Sequence, residues 1–245
     1  MPPALRRARV TVSVIACLVA IAACGEVRPA PLEQIASTPQ SGVAENGLDE
    51  RSAEDALDEV MDALEGQGSY HVTGTSAAGG TVDISFKVGV GATGTVGVER
   101  PVTLVAVDGR VYVTGDAEFM ADNVGADAAE RMAGKWLLLP AYATSDFSIF
   151  ADGTSFAQAV FGEQGAVEMS GVRDVGGAPA VGLVFSKTGG TLWVSARGEP
   201  LPIRLEEKGA AGGTGILTFS DFGTEVAIEA PAVEAVVDIE QLPGS

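Results

Sequence analysis

The sequence predicts an α+β fold in which one antiparallel sheet is covered on one face by short helices. Three observations lead there. An amphipathic helix pattern opens the folded part, runs of period-two alternation separated by glycine turns fill most of the rest, and further helical patches occur only in the middle. Consecutive strands joined by short turns pair antiparallel, because parallel pairing needs long crossovers.

The first helix covers Ser52 to Leu64. Ser52 is placed to cap it with Asp55 three residues on, and Ala53, Ala56, Leu57, Val60, Met61 and Leu64 recur at spacings of three and four. Gly66 supplies the stop. Glu54, Asp58, Glu59, Asp62 and Glu65 form the opposite, solvated face. The period then becomes two: Val82, Ile84, Phe86, Val88 and Val90 alternate with Asp83, Ser85, Lys87 and Gly89. Val102–Val107 and Val111–Val113 flank Asp108-Gly109, a strong hairpin signal. Asp116 is placed to cap a helix over Ala117–Val124 and Asp127 one over Ala128–Ala133, with Gly125 and Gly134 as stops. Trp136-Leu137-Leu138-Leu139 runs into Pro140, and two short helices, Asp146–Ala151 and Ser155–Phe161, are broken at Asp152-Gly153. The later strands are Val181–Phe185, Leu192–Ala196, Ile203–Glu207, Gly215–Phe219 and Val226–Glu229, with turns at Gly176-Gly177, Gly189-Gly190 and Gly212-Gly213. No linker divides this stretch, so residues 52–245 are expected to be one domain.

The N-terminus carries an address. Arg6, Arg7 and Arg9 precede an apolar run of 14 residues, Val10 to Ala23. A mature membrane span needs roughly 20 residues, so this run has the length of a signal-peptide core. It ends in Ile21-Ala22-Ala23-Cys24-Gly25, which matches the lipobox of bacterial lipoprotein signal peptides. Residues 1–23 are read as the signal peptide, with Cys24 as the residue acylated through its thiol. The bland alternative is an ordinary secretory signal cut after Ala23. Cys17 leaves with the leader, so the mature domain holds no free thiol and no disulfide. Acyl chains contribute about 0.8 kcal/mol per buried methylene. Several of them anchor the protein durably to the membrane, on its extracytoplasmic face. Residues 24–51, with Pro29, Pro31 and Pro39, are read as the lipidated terminus and a tether.

Charge excludes several functions. The formal charge is −18, and the leader holds three arginines and no acid, so its removal lowers the charge to −21. Without clustered Lys and Arg, nucleic acid is not a partner. The 46% hydrophobic content supports a packed core rather than disorder. His71 is the one histidine, too few for a His/Cys zinc site. Ser69 and Ser76 lie near it, yet no serine sits in a Gly-x-Ser-x-Gly elbow. Gly89-Val90-Gly91-Ala92-Thr93-Gly94 mimics a dinucleotide fingerprint, but strands follow it where a phosphate-binding helix is required. No enzyme activity and no cofactor are expected.

The order of segments resembles the LppX/LprA/LprF/LprG group of actinobacterial lipoproteins, whose fold is similar to the carriers LolA and LolB. The resemblance is carried by the helix Ala53–Leu64, the hairpin Val107-Asp108-Gly109-Arg110-Val111-Tyr112-Val113, and Gly134-Lys135-Trp136 leading to Pro140. It continues through Glu199-Pro200-Leu201-Pro202-Ile203-Arg204-Leu205, Phe219-Ser220-Asp221-Phe222-Gly223, Ala230-Pro231 and Leu242-Pro243. It implies a single curved sheet, an incomplete β-barrel, with the helices over its concave side and an apolar cavity for acyl chains. It also implies a monomer that binds or transfers envelope lipids or lipoglycans, with an envelope transporter as a further partner. The glycines Gly89, Gly91, Gly94 and Gly97 depart from that pattern, either enlarging a cavity or loosening an edge.

Candidate cavity-lining residues are Val82, Ile84, Phe86 and Val88 on the dry strand face, with Leu104, Trp193, Ile203 and Leu205. The middle helices add Phe119, Met120, Phe147, Phe150, Phe156 and Phe161, and Asp152-Gly153 is placed as a lid hinge. The competing reading is a non-catalytic scaffold or sensory module that binds a protein partner with the same fold. A two-lobed solute-binding protein fits poorly, since it needs crossover helices between parallel strands.

Overall fold

Ser52 starts the first helix as its sequence requires: its hydroxyl accepts from the Asp55 N–H at 3.1 Å and donates to the Asp55 carboxylate at 2.7 Å. The helix α1 (Ala53–Gly66) buries Ala53, Ala56, Val60 and Leu64. The computed structural model describes residues 45–97, 100–140, 144–162, 164–209 and 212–239, all within one unit, Gly42–Ser245. The leader, Cys24, the tether as far as residue 44 and Leu242-Pro243 lie outside the described residues.

After α1 come β1 (Ser69–Thr75), β2 (Thr81–Lys87), β3 (Gly91–Gly97), β4 (Val102–Val107) and β5 (Arg110–Thr114). Then follow α2 (Ala117–Val124), α3 (Ala126–Ala129), β6 (Trp136–Leu138), a 3-10 segment (Thr144–Phe150), α4 (Gly153–Ala157) and a π-helical turn (Gln158–Gly162). The chain closes with β7 (Val167–Val175), β8 (Ala178–Phe185), β9 (Thr191–Ser195), β10 (Pro202–Lys208), β11 (Thr214–Ser220) and β12 (Val236–Asp238). All twelve strands form one open sheet in the order β12-β6-β5-β4-β3-β2-β1-β11-β10-β9-β8-β7. Two meanders thus meet at the β1–β11 pair, and only the short β12–β6 pair is parallel. The fold is α+β, as expected.

One face of the sheet carries the main core. Tyr70, Val72, Ile84, Phe86, Leu104, Val113, Leu183, Leu192 and Leu205 pack there against α1 and the middle helices. The helix α1 contacts both β1 at mid-sheet and β7 at the edge, so this inner face wraps the helix. On the outer face, Val105, Val107 and Tyr112 make a second cluster that includes Trp136, Leu138 and Ile228.

Several elements differ from the expectation. β7 is absent from the sequence reading because an edge strand with a polar, exposed middle lacks alternation. The alternating run stops being strand at Lys87, and Val90 stands in the following turn, 44% exposed. Val226–Glu229 is not a strand; Ile228 instead packs on the outer cluster as the chain passes toward β12. The last part of the supposed tether is docked, since the Asn46 amide donates to Ser195 O at 2.8 Å and Leu48 is buried. The helix expected from Ala128 begins at Ala126 with Gly125 as its N-cap, and the helix expected over Asp146–Ala151 is 3-10 as far as Phe150, with Ala151 a bend beyond it.

The strand glycines have a role neither reading anticipated. A Cβ on Gly94 would lie 2.1 Å from Asp83 O and 2.6 Å from Ile84 Cα. The β2 and β3 backbones therefore leave no room for a side chain at this position, a close approach that glycine alone permits. Gly94→Ala should destabilise the domain by about 3 kcal/mol or more through forced backbone displacement. A melting temperature equal to that of the parent would contradict this.

Candidate functional site

The floor of the site is the inner sheet face, and its phase follows from β-strand alternation. Tyr70 and Val72 on β1, Ile84 and Phe86 on β2, and Leu104 on β4 all turn inward. The roof is irregular. Asp152 accepts from the N–H groups of Thr154 and Ser155 at 2.7 and 3.1 Å, starting α4 abruptly after the 3-10 segment. The π turn that follows buries Phe161. Interruptions of this kind recur at functional positions.

Floor and roof meet through a chain of aromatic rings. Phe150 and Phe156 lie 6.3 Å apart, Phe156 and Phe86 4.6 Å, Phe86 and Tyr70 5.1 Å, Tyr70 and Phe219 6.4 Å, and Phe219 and Phe161 5.7 Å. These separations suit offset or tilted ring contacts. The Tyr70 hydroxyl donates to Gly153 O at 2.5 Å, and both residues are buried. Burial pushes the Tyr70 phenol well above its ordinary range, and the Asp152 charge pushes it further the same way. It stays a neutral donor. Gly153 is thus no free hinge: a Cβ there would stand 2.8 Å from the Tyr70 ring and 3.3 Å from Phe86 Cβ.

The centre of the roofed face is therefore filled by the protein's own side chains. Ile84, Phe86, Leu104, Met120, Phe156, Phe161 and Leu205 are buried in the main cluster, with Val82, Val88, Phe119, Phe147 and Phe150 half-buried against it. Space lies at the margins. One cavity of about 340 Å³ is lined by Ala77, Val160, Gln164, Phe185, Leu205 and Lys208. Another, of about 520 Å³, lies between the β4–β5 hairpin and the 3-10 segment, lined by Val90, Val107, Arg110, Val111, Phe147 and Ala151. A third, of about 190 Å³, separates α1 from α4 beside Tyr70 and Val88. The two larger volumes fall in the range of small-molecule sites. Val90 and Ile149 add an exposed apolar rim at 44% and 38%.

Two expected lining residues stand elsewhere. Trp193 and Ile203 belong to a cluster with Val175 and Ala180, apart from the roofed core. Leu192-Trp193-Val194 has no alternation to fix its phase. The register shift between Pro202 and Arg204 turns Ile203 away from the side that Leu205 faces. Tyr70 was missed, although Tyr70 and Val72 alternate in phase with Ile84 and Phe86 across the strand pair.

The histidine has partners that sequence proximity did not reveal. His71 Nδ1 is 2.8 Å from Ser85 Oγ, and Nε2 is 3.2 Å from Asp83 Oδ1. All three lie on the outer face of the β1–β2 ladder, where backbone N–H groups are engaged in strand pairing. The trio has no main-chain oxyanion hole to make a hydrolase of it. Among the described residues no group of three or more His, Cys, Asp or Glu could hold a metal ion. No helix among them is long and apolar enough to cross a membrane.

No family model and no curated protein matches the sequence. Solved structures do match in fold. LppX, a lipoprotein of Mycobacterium tuberculosis, aligns with TM-score 0.47 at 16% identity, over 72% of this chain and all of its own (100%). A LolA superfamily protein from Nitrosomonas europaea aligns with TM-score 0.29 at 9% identity, covering 72% of this chain and 96% of that one. LprF from Mycobacterium bovis aligns with TM-score 0.50 at 15% identity, covering 74% of this chain and 97% of that one. The single open sheet with its roof of short helices is thus similar in fold to LprF.

Proposed function

We propose that this chain is a lipid-anchored, non-catalytic envelope protein that binds or transfers acyl-bearing lipids on its roofed apolar face. The observation that carries the reading is that roof: short, irregular helices tied to an apolar floor and flanked by cavities of about 340 and 520 Å³. The fold shared with LprF supports it. In this reading residues 1–23 are the leader, Cys24 bears the lipid, the tether ends before Glu45, and the rest is the carrier domain. Inserting about 12 methylenes yields roughly 10 kcal/mol gross, at about 0.8 kcal/mol each. The bilayer offers a chain much the same, so net transfer is near balance and exchange is reversible. Admission of a chain requires the roof to lift, because Phe86, Phe156 and Phe161 occupy the centre.

The full chain, produced in an actinobacterial host and extracted with organic solvent, should yield a co-purifying acyl lipid by mass spectrometry. Repeated recovery of empty protein, with no uptake of labelled acyl chains, would overturn the reading. Cys24→Ser should move the protein from the membrane fraction to the soluble one and abolish labelling by an alkynyl palmitate analogue. Continued labelling would refute Cys24 as the anchor.

A second reading, a scaffold for a protein partner, is favoured by the filled centre. It predicts that a membrane protein is still captured when Leu104→Trp blocks the roofed face.

A further inference from the structure

A second candidate site lies where the cluster of Trp193 and Ile203 meets the margin of the main core. A cleft of about 590 Å³ lies there, lined among others by Val175, Ile203 and Phe222, and by Arg197 and Arg204. Neither arginine forms an ion pair among the described residues. Neighbouring Arg173 is satisfied, bonded to Glu206 at 2.7 Å and stacked 3.6 Å over the Trp193 ring. Arg204 and Trp193 are directly paired across β9 and β10. Each has a buried donor without an acceptor, Arg204 Nε and Trp193 Nε1. Both atoms are enclosed by protein and out of a ligand's reach, so what the cleft offers an acceptor is the rest of the Arg204 guanidinium, which has no acidic partner among the described residues. One carboxylate, Glu199, also lines the cleft, and it accepts from the Gln67 amide. The lining therefore has a local excess of positive charge in a chain of net charge −18.

We propose that this cleft binds the oxyanion of an acidic amphiphile, a phosphate or carboxylate headgroup, with the start of its apolar chain against Val175, Ile203 and Phe222. Arginine suits the head because its planar donors match two oxygens of such a group. The apolar wall suits the tail. The cleft borders the cluster of Trp193 and Ile203 and also touches Phe219 of the aromatic chain, and its proposed role does not depend on the carrier role.

The test uses the full chain carrying Trp136→Phe, which leaves Trp193 as its sole tryptophan. Decyl phosphate below its micellar concentration should change Trp193 emission saturably, while decanol and inorganic phosphate should act at least tenfold more weakly. Arg204→Gln should weaken decyl phosphate binding tenfold or more, Arg204→Lys less, and Arg197→Gln several-fold. Phe86→Ala, placed in the roofed core, should leave this titration unchanged. Unaltered affinity in folded Arg204→Gln and Arg197→Gln would overturn the proposal. Equal binding of inorganic phosphate would overturn its amphiphile part, and a tighter response in Phe86→Ala, whose void favours hydrocarbon beneath the roof, would reassign the signal to the roofed site.

Discussion

Phe86→Ala should lower the stability of the domain by about 3–5 kcal/mol, the range for truncating a buried phenylalanine. Phe86 is fully buried between Tyr70 and Phe156, with ring centres 5.1 and 4.6 Å away. Its loss leaves a void bordered by Ile84, Tyr70 and Phe156 that stiff neighbouring strands cannot close. At roughly 2–4 °C per kcal/mol for a domain of this size, the melting temperature should fall by about 10 °C. The two readings of function separate in the parent protein, where an acyl ligand should stabilise a lipid carrier and leave a scaffold unchanged. In Phe86→Ala the void itself is a site for hydrocarbon under either reading. Thermal shifts of parent and variant with and without dodecanoate read both quantities. A loss below about 1 kcal/mol would contradict the packing described here.

Tyr70→Phe should act on exchange more than on shape. The Tyr70 hydroxyl ties the sheet floor to Gly153 at the head of α4. Its removal strands a buried carbonyl, at a cost of about 1–3 kcal/mol. That cost falls on the closed roof, because an open roof returns the Gly153 carbonyl to water. Uptake of a fluorescent acyl probe from vesicles should therefore be several-fold faster in Tyr70→Phe. An unchanged rate would mean that the roof does not govern entry. The same residue gives a pH signature. The folded-state pKa of Tyr70 is raised above the ordinary 10.0, first by burial and then by Asp152. The stability linked to its proton is complete below pH 10 and is lost as pH rises further, when only the unfolded chain releases that proton. The slope approaches about 1.4 kcal/mol per pH unit. Tyr70→Phe should lose that share of the alkaline dependence, which denaturant titrations at pH 9 and 11 will show.

Much of the fold was legible because local chemistry and global structure agree. Ser52, the three-and-four spacing through Leu64, and Asp108-Gly109 each specify one local geometry, and each is found. Asp116 likewise accepts from the Phe119 N–H at 2.7 Å to start α2. Legibility failed where local signals were silent. β7 owes its place to pairing with β8, with a register shift between Met169 and Val172, rather than to any apolar rhythm of its own. The site was readable as a set of dry faces. Ile84, Phe86, Leu104 and Leu205 turned inward as alternation requires, whereas Trp193 and Ile203 did not, because a uniform apolar run and a bulge both erase phase.

The sequence by itself determined the α+β class, the leading helix and the hairpins, since capping, period and turn chemistry act between residues close along the chain. Tertiary structure alone decided that Tyr70 latches Gly153, that Gly94 lies too close to β2 for any side chain, that His71 meets Ser85 and Asp83, and that Arg204 lies beside Trp193. Those relations join residues far apart in the chain, and only strand register and a bulge bring them within reach.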